Sequence, residues 1–411
     1  MARLDPFEPA PLIAVAVSGG ADSLALTLLA DGWVRARGGS LHGLVVDHGL
    51  RTTSGAEAEQ TVAWLAARGI AARMLSLTGL GRGPALAARA RTLRYEALID
   101  ACAAIGALHL LTGHHAADQT ETVAQRALRA SGSAGLSGMA PVVELGSVRL
   151  LRPLLGLPPS ALRAMLSAAG QPWIEDPSNQ DPSALRSRLR AGLSGGRNAE
   201  AAIAAVADAA RTAGLEREAA ERRAADELGR SVTLRPEGFA VLPPGRLGHA
   251  AMRALVQMVS GASYPPGLNV VTELAASPVP ATLAGVRLVP AGRMGQGLLM
   301  VREVAAMAPP VPARPGAVWD GRFRVGPDAG VDAGLTIGAL DQDAARFRDL
   351  GPLPSVVLRT LPALRSGHTL VAVPHLGYPD AASAAAFAVT FAPPRPAAGA
   401  PFAGLPRVGL K

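Results

Sequence analysis

Ser18-Gly19-Gly20-Ala21-Asp22-Ser23 sets two glycines, two hydroxyls and a carboxylate within six consecutive residues. Paired glycines let a backbone turn sharply and aim successive N–H groups at an anion. A helix that starts there adds the partial positive charge of its N-terminus. Ser18 and Ser23 can offer hydroxyls to phosphate, and Asp22 a hard oxygen to Mg²⁺ beside it. The spacing is neither the G-x-x-x-x-G-K-[ST] of a Walker loop nor G-x-G-x-x-G. Asp118 and Glu121 are three residues apart, so on a helix they share a face that can hold a cationic group, or else are acids favoured by a helix N-terminus. His114 and His115 just precede them and can reach a nucleotide or a reacting base. Asp47 can orient the site or bind Mg²⁺, or else cap a helix. Arg91 and Arg94 can reach phosphates, or else form a solvated helix face. Between Pro182 and Ala199 stand Arg186, Arg188, Arg190 and Arg197 with no acid among them. Alternate residues of an extended stretch point to one side, so Arg186, Arg188 and Arg190 can form a basic comb for nucleic-acid phosphates, or else a solvated surface.

These residues need a scaffold that gathers them. Strands are predicted at Pro11–Val17, Leu41–Asp47, Ala71–Leu77 and Ala107–Thr112. Helices are predicted at 22–37, 55–68, 85–104 and 118–130, between and after the strands. Apolar runs of this length between helices suit a parallel sheet covered on both faces. Ligands of such sheets bind beyond the carboxyl ends of the strands, where the candidate loops lie. A short helix is predicted at 160–169 and a long connector helix at 198–229. From about Ser231 the pattern changes to short β segments, and Ala308–Pro315 reads as a linker.

The chain has 411 residues, 49% hydrophobic and 18% charged, which excludes a disordered polypeptide. The formal net charge of +8 favours an anionic partner, nucleic acid first. Lys411 is the one lysine; every other basic side chain is Arg, suited to bidentate phosphate contact. Cys102 stands alone, which excludes a disulfide framework, a Cys-based zinc site and a thiolate-held cluster. No secretory signal and no membrane span are expected, since the uncharged runs are short or broken by Pro265-Pro266. The expected location is the cytoplasm.

The strand-SGGADS-helix signature resembles the PP-loop ATP pyrophosphatases, which adenylylate an oxygen and release pyrophosphate. Within them the chain is similar to the tRNA(Ile)-lysidine synthase family. Asp47-His48-Gly49-Leu50-Arg51 matches its D-H-x-L-R, and Ala90–Tyr95 its A-R-x-x-R-Y. Thr112–Thr122 (TGHHAADQTET) matches G-H-H-x-D-D-Q-x-E-T, and Arg129–Met139 looks like R-G-x-G-x-x-G-L-x-G-M. Arg152-Pro153-Leu154-Leu155 and Trp173–Asn179 follow in the same order. The chain departs from the pattern at Ala117, which replaces an Asp, and at Ala130, which replaces a Gly. Arg186-Ser187-Arg188 stands where an Arg-Asn pair is usual.

The resemblance implies a PP-loop (adenine-nucleotide alpha hydrolase-like) α/β domain, with smaller α+β and mostly β modules after it. The expected boundaries are 1–198, a helical linker at 199–230, and modules at 231–307 and 308–411. The implied reaction ligates free L-lysine to C2 of the wobble cytidine of CAU-anticodon tRNA(Ile), through an adenylylated intermediate, with ATP and Mg²⁺. Asp22, Asp47, His114 and Asp118 would be catalytic. Ser18 to Ser23 would bind ATP, with Asp22 on Mg²⁺. Asp118 and Glu121 would bind lysine, and Arg91, Arg94, Arg186, Arg188 and Arg190 the tRNA. A PP-loop tRNA thiolase and a non-catalytic RNA-binding module are the alternatives. Whether two chains pair as a homodimer is left open.

Overall fold

The computed structural model describes residues 1, 4–49, 53–77, 86–128, 136–175, 197–326, 329, 334–393 and 395–399. Two compact units divide the chain, one built on Met1–Glu218 and the other on Ala219–Gly399.

The first unit is organised by β1 (Leu12–Val17), whose apolar run sits at the centre of a six-stranded sheet. The order is β3-β2-β1-β4-β6-β5, with β2 (Ser40–Asp47), β3 (Ala71–Ser76), β4 (His109–Leu111), β5 (Val142–Leu145) and β6 (Val148–Leu151). Ile13 pairs in parallel with Leu41 on one side and His109 on the other. Alternate residues of β1 feed two cores. Ile13, Val15 and Val17 pack with Leu24 and Leu26 of α1 (Ala21–Arg35), Leu65 of α2 (Ser54–Ala67) and Leu162 of α5 (Pro159–Ala168). Ala14 faces the other way, toward Leu98 and Cys102 of α3 (Leu86–Ile105). Burial on both faces is why these strands read as unbroken apolar runs.

Two differences from the expected pattern have local causes. Helix α4 (Ala116–Leu128) begins before Asp118, because Asp118 and His115 cap it reciprocally, as shown below. The β5–β6 hairpin was not expected. It turns at Gly146, whose φ of +60° suits a tight hairpin, and it adds β5 antiparallel to β6 at the edge of the sheet.

Helix α6 (Arg197–Ser231) runs through the sequence boundary between the units. The second unit holds antiparallel sheets of five, four and three strands, with two longer helices, His249–Ser260 and Leu268–Ala276. Phe239, Leu299 and Val301 share one core cluster with Leu340, Val357 and Leu361. Residues on both sides of position 307 thus bury a common apolar surface. Among the described residues, no helix is long and apolar enough to cross a membrane.

Candidate active site

The strand order reverses at β1, with β2 and β4 on opposite sides of it. The loops after β1 and β4 therefore meet at the carboxyl edge, the place where such sheets bind ligands. In the first loop the two serines shape the backbone. Ser18 N–H donates to Ser23 Oγ at 3.1 Å, and Ser23 Oγ–H donates to the Gly20 carbonyl at 3.0 Å. Gly20 N–H reaches Ser18 Oγ at 3.4 Å. Gly19 has φ of +79°, and a Cβ there would stand 2.5 Å from Thr61 Oγ1. Ile174 N–H donates to the Gly19 carbonyl at 2.9 Å, so the Trp173–Glu175 stretch clasps the loop from outside. Gly20 is the N-cap of α1, and the first turn of that helix carries Asp22. The result is a glycine loop opening onto a helix N-terminus, with amide donors for an anion.

The β4 loop lies directly against it. A Cβ on Gly113 would come within 3.0 Å of the backbone at Asp22 and Ser23, so glycine permits the close approach. His115 N–H donates to Asp118 Oδ2 at 3.0 Å, and Asp118 N–H points back to His115 Nδ1 at 3.4 Å. This reciprocal pair caps α4 in the manner of a capping box. The buried His115 ring also turns Nε2 toward Asp22, 3.4 Å from Oδ2. One turn along α4, Glu121 is buried at 2% exposure. Gln119 between them is structural, its amide exchanging hydrogen bonds with both backbone groups of Met139.

His114 sits close to Thr112, with Nδ1 3.0 Å from the hydroxyl. Burial first, then the Arg152 guanidinium, push its imidazole down to about 4, with Asp118 opposing. His114 is therefore neutral at physiological pH.

Asp47, at the end of β2, accepts the Ser54 hydroxyl at 2.6 Å and Gly49 N–H at 2.9 Å. These two bonds hold its carboxyl below the usual carboxylate range, the Ser54 bond contributing most. Asp47 thus fastens the turn into α2. His48 beside it is pushed down by burial and by Arg94. On α3 the Arg91 and Arg94 guanidiniums lie 5.1 and 5.5 Å from the Tyr95 ring centroid. Arg186, Arg188 and Arg190 lie outside the described residues, as do most of 129–139 and the end of the Trp173–Asn179 block.

The structure thus brings Ser18–Ser23, His114, Asp118 and Glu121 together at one strand junction, while Asp47 and Arg94 belong to the neighbouring strand end and helix. Ile174 and Arg152 were not singled out from the sequence as site residues, and His115, expected to reach a nucleotide or a reacting base, has a bridging role. His115 links two carboxylates, Ile174 clasps Gly19, and Arg152 adds to the burial that holds His114 neutral. The His-His doublet, the W-I-E block and the R-P-L-L block were their traces in the sequence.

No group of three or more His, Cys, Asp or Glu side chains able to hold a metal occurs among the described residues. Mg²⁺ takes one or two protein carboxylates and completes its shell with phosphate and water. The half-exposed Asp22 carboxylate at the phosphate loop fits that need. Cys102 is fully buried, and burial pushes its thiol up to about 11. It packs among Ala14, Leu98 and Leu110 as a small apolar residue.

Residues 3–195 match the PP-loop domain family. A tRNA(Ile)-lysidine synthase of Bradyrhizobium sp. is 38% identical over 269 residues, 61% of this chain and 75% of that protein. One from Hyphomonas neptunium is 38% identical over 67% of this chain and 78% of its own length. One from Mesorhizobium japonicum is 36% identical over 89% of this chain and 83% of its own.

Proposed function

We infer how this site works from its lineage: the chain belongs to the tRNA(Ile)-lysidine synthase family. It is an ATP-using ligase of tRNA, built on a PP-loop domain. The finer reading is ligation of free lysine to C2 of the wobble cytidine in a CAU anticodon. That carbon has no leaving group until the 2-oxygen is adenylylated. The oxygen attacks the α-phosphorus of ATP and pyrophosphate departs. The lysine ε-amine then attacks C2, loses its proton, and expels AMP.

The residues divide this work. The Ser18–Ser23 loop and the N-terminus of α1 bind the nucleotide phosphates through backbone amides. Asp22 would hold Mg²⁺, which supplies charge neutralisation on those phosphates when bound. Asp118 and Glu121 present negative charge to the lysine ammonium. His114, neutral beside them, can accept a hydrogen bond from the attacking amine and orient it. Asp47 keeps the β2 loop in place. Arg91, Arg94, Arg186, Arg188 and Arg190 contact RNA phosphates.

The observation that carries this reading is the position of His115, within 3.4 Å of Asp22 and 3.5 Å of Asp118. It ties the nucleotide loop to the acidic face, as a two-step ligation at one site requires. The buried, protonated Cys102 favours this reading over sulfur transfer, which needs accessible thiolates. The test is incorporation of labelled lysine into tRNA(Ile) with a CAU anticodon. Incorporation is expected to need both ATP and that tRNA, and to release one pyrophosphate per lysine. Pyrophosphate release without lysine incorporation would overturn the lysine assignment.

A further inference from the structure

Three guanidiniums gather near one ring in the first unit. Arg91 and Arg94 flank Tyr95 on α3. Arg152 follows directly on β6, the strand that runs parallel beside β4. Its backbone is anchored by a bond to the Pro141 carbonyl, and Nη1 donates to the Ala140 carbonyl at 2.6 Å. The residue is 7% exposed, and its Nε is a buried donor with no partner. Arg91, Arg94 and Arg152 make no ion pair among the described residues.

Buried cations are ordinarily paired, because removal from water disfavours an isolated charge. Here burial pushes both Arg94 and Arg152 down from the ordinary guanidinium value; Tyr95 opposes this and Arg91 adds to it. Such a cluster gains most from an anion with several oxygens, and the forked guanidinium matches phosphate. Arg152 leaves the sheet two strand positions from the loop after β1. That is about 10 Å at ordinary strand spacing, within the span of a nucleotide's phosphate chain or of an RNA phosphate beside it.

We propose that Arg152 binds a phosphate that arrives with substrate, its free Nε donating to a phosphate oxygen alongside Arg91 and Arg94. The proposal rests on the ligase reading above, but its test measures binding alone, so a failure of lysine incorporation would leave it standing. The phosphate belongs either to the nucleotide or to the tRNA backbone. Two titrations separate these sources: an α,β-methylene ATP analogue without tRNA, and tRNA(Ile) without nucleotide across a salt series.

Arg152→Gln is expected to weaken one of the two by about 10- to 150-fold, the loss of a charge-assisted hydrogen bond. Loss of analogue affinity assigns the nucleotide phosphate. Loss of tRNA affinity, with the log–log salt slope reduced by about one, assigns a backbone phosphate. A structural role alone would lower the melting temperature and leave both affinities of the folded protein within twofold of wild type, which overturns the proposal. Should Arg152→Gln fail to fold, Arg152→Lys keeps the cation but not the fork. It is expected to lose about tenfold in the same titration, and a folded Lys variant with both affinities unchanged overturns the proposal equally.

Discussion

His115 Nε2 lies 3.4 Å from Asp22 Oδ2, and the same ring caps α4 through Asp118. If Nδ1 accepts from the Asp118 amide, the ring proton sits on Nε2 and faces Asp22. One imidazole then fixes the distance between Asp22 on the glycine loop and Asp118 at the start of α4. Two loops from different strands are held in register by this one side chain.

Asp22→Asn keeps the shape and a hydrogen-bond acceptor for His115 but removes the charge. Asp22 is half-exposed, so folding stability is expected to change by no more than about 0.5 kcal/mol. Adenylylation is expected to fall by about 10²- to 10³-fold, the usual effect of removing one electrostatic group from a reacting phosphate. Pyrophosphate release at the wild-type rate would remove Asp22 from the metal and phosphate site.

Glu121→Gln and Asp118→Asn are both near-isosteric. In the Asp118→Asn variant the side-chain amide oxygen can still accept from the His115 N–H, so α4 keeps its cap. Each substitution is expected to raise the lysine KM by about 10- to 150-fold, the equivalent of about 1.5–3 kcal/mol. The ATP KM should stay within twofold. Ala117 stands where the family pattern has a carboxylate, so under the proposed function these two acids carry the ammonium. A shift in ATP dependence with lysine dependence unchanged would place them in the nucleotide site instead.

The parallel core was legible in the sequence because β1, β2 and β4 are buried on both faces and so carry no polar alternation. The phosphate loop was legible because its chemistry is local: six consecutive residues contain the turn, the hydroxyls and the acid. The role of His115 was not, since it depends on Gly113 letting two distant loops touch. Histidine is also not among the residues that ordinarily announce a helix cap. Arg152 escaped for a related reason. Its chemistry lies in what it lacks, a partner for Nε, and that is a property of the folded interior. The β5–β6 hairpin carried a Gly-Ser turn signal in Val142–Leu151, but Val142-Val143 and Leu150-Leu151 blur the two-residue alternation that marks a strand.

His114 has a folded-state pKa near 4 against an ordinary value of 6.5, so the native protein prefers it neutral. Above pH 6.5 both states are neutral at this site and it has no effect on pH dependence. As pH falls from 6.5 to 4 the unfolded chain takes up a proton that the folded chain refuses, and stability is lost. The shift sets an upper bound of about 3 kcal/mol on that loss. His114→Gln is expected to flatten the fall relative to wild type, read as urea midpoints between pH 7 and 4. His48 and His109 are lowered in the same direction, so the variant removes only part of the slope. Parallel curves for the two proteins would show that His114 titrates normally.

Gly19→Ala tests the loop by geometry alone. With φ of +79°, Gly19 occupies the left-handed region, where a side chain costs about 1–2 kcal/mol. The added Cβ would also stand 2.5 Å from Thr61 Oγ1 and 2.7 Å from Ile174 Cδ1. The isoleucine methyl is the far end of a flexible side chain and can move aside. Thr61 is fully buried and its hydroxyl donates to the Glu57 carbonyl at 2.8 Å, so it yields less easily. Overpacking of this kind typically costs about 1–3 kcal/mol. The combined loss is expected at about 2–5 kcal/mol, with weaker ATP binding because the loop amides are displaced. Thr61→Ala removes the obstructing oxygen. In a double-mutant cycle, Gly19→Ala should therefore cost less in the Thr61→Ala background, by the packing share and not by the backbone share. The measurement is urea unfolding of the four proteins. A Gly19→Ala variant within about 0.5 kcal/mol of wild type, or a cycle with no coupling, would show that the loop relaxes away from α2 and is not clasped as described.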